Sequence, residues 1–166
     1  MKPIGGRAAS AALVVALLTL PGCPSAYQRT YQQETQKLEM QQQAAQQQAE
    51  AAHAQAQKYA AVIYFAVGSP VLDQDGYRQL TWFAQQMQPY PQAIIQVQGF
   101  ADDTGNEVNN QGLSVARAQN AANFLASQGI APPRMIVQGF GEQYAADSNA
   151  TTQGRRNNRR VEVTVR

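Results

Sequence analysis

The 166-residue sequence predicts an α+β domain of order βαβαββ, a mixed four-stranded sheet with two main helices on one face, preceded by a Gln/Ala-rich helical spacer. Two observations place the strands and helices: short apolar runs rich in β-branched and aromatic residues alternate with segments of helical period. A third comes from the end of the chain. There Val161, Val163 and Val165 alternate with Arg160, Glu162, Thr164 and Arg166, as expected for a sheet with one covered and one wet face.

The spacer comes first. From Ser25 to Lys58 the chain is dominated by Gln and Ala and contains neither Gly nor Pro, so a helix is expected rather than a flexible tether. Tyr31, Leu38, Ala45, Ala52 and Tyr59 recur every seven residues and suggest a seam. Small Ala at that seam makes coiled-coil self-association weak, and a solvated single helix fits equally well. At about 1.5 Å per residue such a helix holds the following domain on the order of 50 Å from its anchor.

The folded domain is expected from residue 60 to 166. AAVIYFAV gives a first strand at Ala61–Phe65, broken by Gly68, Ser69 and Pro70. Asp73 is a candidate N-cap for a helix to Met87, with Tyr77, Leu80, Phe83, Ala84 and Met87 at helical spacing, and Pro89 and Pro91 stop it. AIIQVQGF is the second strand, Val108–Ser127 the second helix with Gly129 at its end, and RMIVQGF the third strand. The polar stretch GEQYAADSNATTQG reads as a loop before the fourth strand.

The N-terminus carries Lys2 and Arg7, then a nearly unbroken apolar stretch from Ala8 to Leu20. About 13 residues are too few to cross a bilayer, so residues 1–22 read as a cleaved export signal. Leu20-Pro21-Gly22-Cys23 resembles the bacterial lipobox, although Pro21 is unusual there. The resemblance implies lipidation of Cys23, which becomes the mature N-terminus of a 23–59 spacer, and Pro24 in place of Asp favours the outer membrane over the inner. No cysteine follows Cys23, so stability comes from packing and not from disulfides. A net charge of +2 makes nucleic acid a poor default partner, and the four arginines of GRRNNRR do not change that in an exported chain.

Several motifs then recur in order: Gly99-Phe100-Ala101-Asp102-Asp103-Thr104-Gly105, Asn110, Leu113-Ser114, Arg117-Ala118, Gly129-Ile130, Arg134, Gly139-Phe140-Gly141-Glu142, and Gly154-Arg155 with Asn158-Arg159-Arg160-Val161-Glu162. In order and spacing, Ala61 to Arg166 resembles the OmpA-like C-terminal domain, the peptidoglycan-binding module also found in the peptidoglycan-associated lipoprotein. The resemblance implies a peptidoglycan-binding outer-membrane lipoprotein facing the periplasm. It implies that Asp102 and Arg117 grip the diaminopimelate of the stem peptide, the carboxylate taking the ammonium and the guanidinium the carboxylate. The alternative is an ion pair between Asp102 and Arg117 holding loop to helix. Asn110 and Leu113 match the pattern, with helix capping the alternative for Asn110; Arg159 is implied to neighbour the cleft. Asp103 reads as a turn residue, Arg155 as structural or phosphate-facing, and Arg160 as solvated.

Phe100-Ala101 stands where many members carry His-Thr, and Gly68 where they often carry Asp or Asn. These departures support an alternative, an adaptor that docks onto an envelope protein complex. Catalysis is not expected: His53, the only histidine, lies in the spacer, Asp102 and Asp103 are adjacent in sequence, and Asp73-Gln74-Asp75-Gly76 lacks the Glu that completes a calcium loop. No cofactor or metal is implied.

Overall fold

The computed structural model describes residues 26–166, so the export signal and Cys23 lie outside the described residues. The chain divides into two compact units, Met1–Gln42 and Gln43–Arg166. The elements are α1 (Ala26–Ala56), β1 (Ala60–Tyr64), α2 (Gln74–Met87), β2 (Ile95–Gly99), α3 (Glu107–Ser127), a 3-10 turn (Pro132–Arg134), β3 (Met135–Gly139), α4 (Thr152–Asn158) and β4 (Arg160–Val165).

The expected helical spacer is present as α1, a 31-residue helix. It ends at Ala56, so the last member of the heptad series leaves it. Tyr59 lies in the turn beyond and packs edge-on against Trp82, with ring centroids 6.1 Å apart. Ala56 is fully buried in the domain core.

The sheet is mixed, with strand order β1-β4-β2-β3. β2 and β3 run parallel, and β4 is antiparallel to both β1 and β2. Alternation decides which face is covered. Ala61 and Ile63, Val161, Val163 and Val165, and Ile95 and Val97 all point to one side and are buried there. α2 lays Leu80, Phe83, Ala84 and Met87 on that side, and α3 lays Ala118, Ala121, Ala122 and Leu125. Fully burying a Phe, Leu or Ile is worth about 1.5–3 kcal/mol, so Phe83, Leu80, Ile63, Ile95 and Leu125 form the energetic centre.

Helix ends follow the sequence closely. Asp73 caps α2, its Oδ1 accepting from Gly76 N at 2.8 Å, and Gly129 leaves α3 at φ +95°. The expected polar loop after β3 differs, because it ends in the short helix α4, capped by Thr151, whose Oγ1 accepts from Gly154 N at 2.9 Å. A 7-residue polar helix has no apolar period to reveal it.

Candidate functional site

The site forms where β1 and β2 end and β4 begins, beside the start of α3. Two close approaches set its frame. A Cβ on Gly99 would stand 2.0 Å from Ser114 O, and one on Gly139 would stand 2.5 Å from Val115 N, so glycine lets α3 lie directly on β2 and β3. The fully buried Ser114 hydroxyl accepts from Gly141 N at 2.8 Å, which ties the end of β3 to the same helix.

Arg117, on α3, is fully buried and makes no ion pair among the described residues. Its Nε donates to Ser69 O at 3.0 Å, Nη1 to Phe100 O at 2.9 Å and Nη2 to Ala66 O at 3.0 Å, with Phe65 under the guanidinium at 5.3 Å. One side chain thus pins the loop after β1 and the end of β2. Burial pulls its pKa down to about 10, with Asp102 opposing and Arg159 adding to the fall, so the group stays charged at neutral pH.

Asp102 does not pair with Arg117. Its Oδ2 accepts from Arg159 Nη1 at 2.8 Å, and Arg159 Nε also donates to Phe65 O at 3.0 Å. Asp102 Oδ1 accepts from Thr104 N at 3.3 Å, shaping the acidic turn, whereas Asp103 is exposed. Asp102, Arg117 and Arg159 are therefore buried close together, but the loop-to-helix pair considered from sequence is replaced by a pair between the acidic turn and Arg159, the residue between α4 and β4.

Beside this cluster lies an open groove of about 560 Å³ lined by Gly68, Thr104, Gly105, Asn110, Leu113 and Ala116, among others. Asn110 and Leu113 line it, whereas Asp102, Arg117 and Arg159 do not and are linked to it only through Thr104 and the loop around Gly68. Gly68, at φ +65° with open space above it, sits in the loop that Arg117 pins. Capping of α3 falls to Asn106, whose Oδ1 accepts from Asn109 N at 2.8 Å, which leaves the Asn110 side chain free of that task. Asn110 Nδ2 instead donates to Glu142 Oε2 at 2.8 Å.

Arg160 corrects an expectation. It is 6% exposed, not solvated: its guanidinium lies 3.9 Å over the Phe100 ring, Nε donates to Glu162 at 2.6 Å and Nη2 to Tyr144 O at 3.2 Å. Phe100 stacks on Phe140 at 5.4 Å, so it serves packing on the open sheet face. Arg160 Nη1 is buried without a hydrogen-bond partner, and the aromatic ring beneath is its compensation. Arg155 is structural, donating to Asn149 O at 2.7 Å.

Sequence reasoning named Asn158 as part of a motif but gave it no role. It is fully buried, its Oδ1 accepts from Ala146 N and Asp147 N, and its Nδ2 donates to Asp147 O and Asn149 Oδ1. It organises the loop before α4 and, from the end of that helix, places Arg159. A buried Asn beside an arginine run is the only local signal, and burial is not visible in one sequence.

Residues 64–159 match the OmpA family. Over 103 residues the chain is 36% identical to the probable lipoprotein YiaD of Escherichia coli, a match covering 62% of this chain and 47% of that one. Over 102 residues it is 35% identical to the peptidoglycan-associated lipoprotein of Brucella melitensis, covering 61% of each. The chain thus spans less than two thirds of the length of either relative. The crystal structure of the peptidoglycan-associated lipoprotein from Burkholderia pseudomallei has the same fold, with a TM-score of 0.61 at 23% identity over 64% of this chain and 90% of that one.

Proposed function

The chain belongs to the OmpA family, and from that premise we propose that it is a noncatalytic tether whose domain binds peptidoglycan through the diaminopimelate of the stem peptides. Residues 1–22 are the export signal in this reading, Cys23 carries the lipid that holds the chain in the outer membrane, 23–59 is the spacer and 60–166 the binding domain. The names of its relatives, a lipoprotein and a peptidoglycan-associated lipoprotein, support it.

One observation carries the binding proposal. Beside the groove two buried guanidinium groups, Arg117 and Arg159, stand near a single buried carboxylate, Asp102, which is paired with Arg159 alone. A buried charge without a counterion costs several kcal/mol, so the network favours the arrival of an anion. Diaminopimelate ends in one carbon bearing both a carboxylate and an ammonium. Its carboxylate is drawn toward the arginines, and its ammonium toward Asp102 and the acceptors of the acidic turn. A ligand repeated along a polymer makes modest affinity per site sufficient, because many anchored copies act together.

The test is cosedimentation of Gln43–Arg166 with purified wall containing diaminopimelate, against wall with lysine at that position, which lacks the second carboxylate. The protein should pellet with the first and be displaced by a soluble diaminopimelate stem peptide. Asp102→Asn and Arg117→Lys, each checked by melting to be folded, should bind at least tenfold more weakly, the loss of about 1.5–3 kcal/mol from a charged hydrogen bond. Wild type remaining in solution with both walls would sink the tether. It would favour the second reading, an adaptor docking onto envelope proteins, which rests on Gly68 leaving part of the groove wall without a side chain.

A further inference from the structure

Glu142 follows β3 and contacts the groove residue Asn110 across 32 positions of sequence. Its position is fixed on both sides of the backbone: Gly141 N donates to the Ser114 hydroxyl at 2.8 Å, and Gly141 O accepts from Ala101 N at 2.6 Å. The bond that matters runs from Asn110 Nδ2 to Glu142 Oε2, 2.8 Å long.

An asparagine amide has two faces of opposite sense, an NH2 that only donates and an oxygen that only accepts, and the two have nearly the same shape. An ionised carboxylate only accepts. Beside Glu142, therefore, only one of the two orientations makes a bond; the other sets oxygen against oxygen. With its NH2 committed, Asn110 turns Oδ1 toward Gly105, where it stands 3.8 Å from the position a Cβ would take. Gly105 and Asn110 both line the groove. Asn110 is 3% exposed, yet Oδ1 accepts no hydrogen bond among the described residues and is not sealed from solvent as Arg160 Nη1 is.

We propose that Glu142 is a positioning residue: by taking the Asn110 NH2 it fixes the amide so that a free acceptor faces the groove, which thereby selects a ligand presenting an amide N–H at that point. This rests on the peptide-binding reading above and deepens it. The zwitterion answers to the charged network, and Asn110 reads the backbone of the peptide that carries it. A chain with a carbonyl or ether oxygen at that point would meet oxygen and be rejected.

The experiment reverses the amide. In the full chain, Glu142→Lys puts a donor where the acceptor was, so Asn110 must turn its oxygen to Lys and its NH2 to the groove while the bridge itself survives. Asn110→Asp in the same chain then supplies one oxygen to Lys and one to the groove. Binding of a soluble diaminopimelate stem peptide should fall tenfold or more in Glu142→Lys and return to within a few-fold of wild type in the double variant, with all melting temperatures close. Equal binding by Glu142→Lys and wild type would show that Glu142 merely braces the loop. Loss that the double variant fails to restore would show that Glu142 acts by charge alone. Either overturns the proposal.

A second readout needs no ligand. The Asn110 side-chain NH2 protons, followed by 15N NMR, should exchange slowly in wild type and approach the rate of exposed Asn109 in Glu142→Lys. Fast exchange in wild type overturns the orientation. Slow exchange together with no stem-peptide binding by wild type would retain the fixed acceptor and sink the peptidoglycan reading instead.

Discussion

Arg117 is the residue on which the proposed recognition and the fold both depend. It satisfies the carbonyls of Ala66, Ser69 and Phe100 from inside the protein. Arg117→Ala leaves three acceptors without their charged donor and opens a cavity, so unfolding in urea should show a loss of about 3 kcal/mol or more. Asp102→Ala strands the buried Arg159 and should cost about 3–5 kcal/mol in the same assay. A binding defect in either alanine variant is therefore informative only beside a melting curve. The folded pKa of Arg117, about 10, lies below its ordinary value, so the unfolded chain holds the extra proton only above about pH 10 and stability gains from this group only there. Below that the charge is constant, and wall binding should not change between about pH 7 and 8.5 on its account. The sequence singled these residues out through a resemblance in order and spacing that takes in Asp102, Asn110, Leu113, Arg117 and Arg159. Their connections were not legible there, because Arg159 reaches Asp102 from 57 positions away and nothing local records which arginine of GRRNNRR turns inward.

Elements with a strong local pattern were the readable ones. α2 shows its apolar stripe, its Asp73 cap and its proline stop, and the valines of β4 show their alternation. Asp73→Ala should lower stability by about 1 kcal/mol, the usual value of an N-cap. α4 was missed because its anchor is tertiary: Gly154 permits an approach that would put a Cβ 1.9 Å from Ser148 O, and Asn158 gathers the loop from within. The same kind of contact governs α3. Gly99→Ala drives a methyl into the Ser114 carbonyl, a backbone atom that cannot swing aside, and should cost about 3 kcal/mol, at the upper end of overpacking. Its thermal shift should exceed that of Gly112→Ala, where the added methyl meets open space within the same helix.

At the scale of the whole molecule, alternation told which face of β4 is buried but not which strands are neighbours. The last strand, β4, inserts between β1 and β2, an order that requires long-range pairing and leaves no mark on any short stretch. Attachment is a property of the full chain too: Cys23→Ser should move the protein from the membrane to the soluble fraction of the envelope, and its staying with the membrane would count against lipidation. The insertion of β4 also bears on when the groove comes into being. Phe65 and Arg159, joined by a 3.0 Å hydrogen bond, are 94 positions apart, and Asp102 has no counterion until that arginine arrives. Closing so long a loop is slow compared with forming any single helix. A chain emerging N-terminus first therefore passes nearly its whole length with this buried cluster unassembled, and completes it only when the final strand locks.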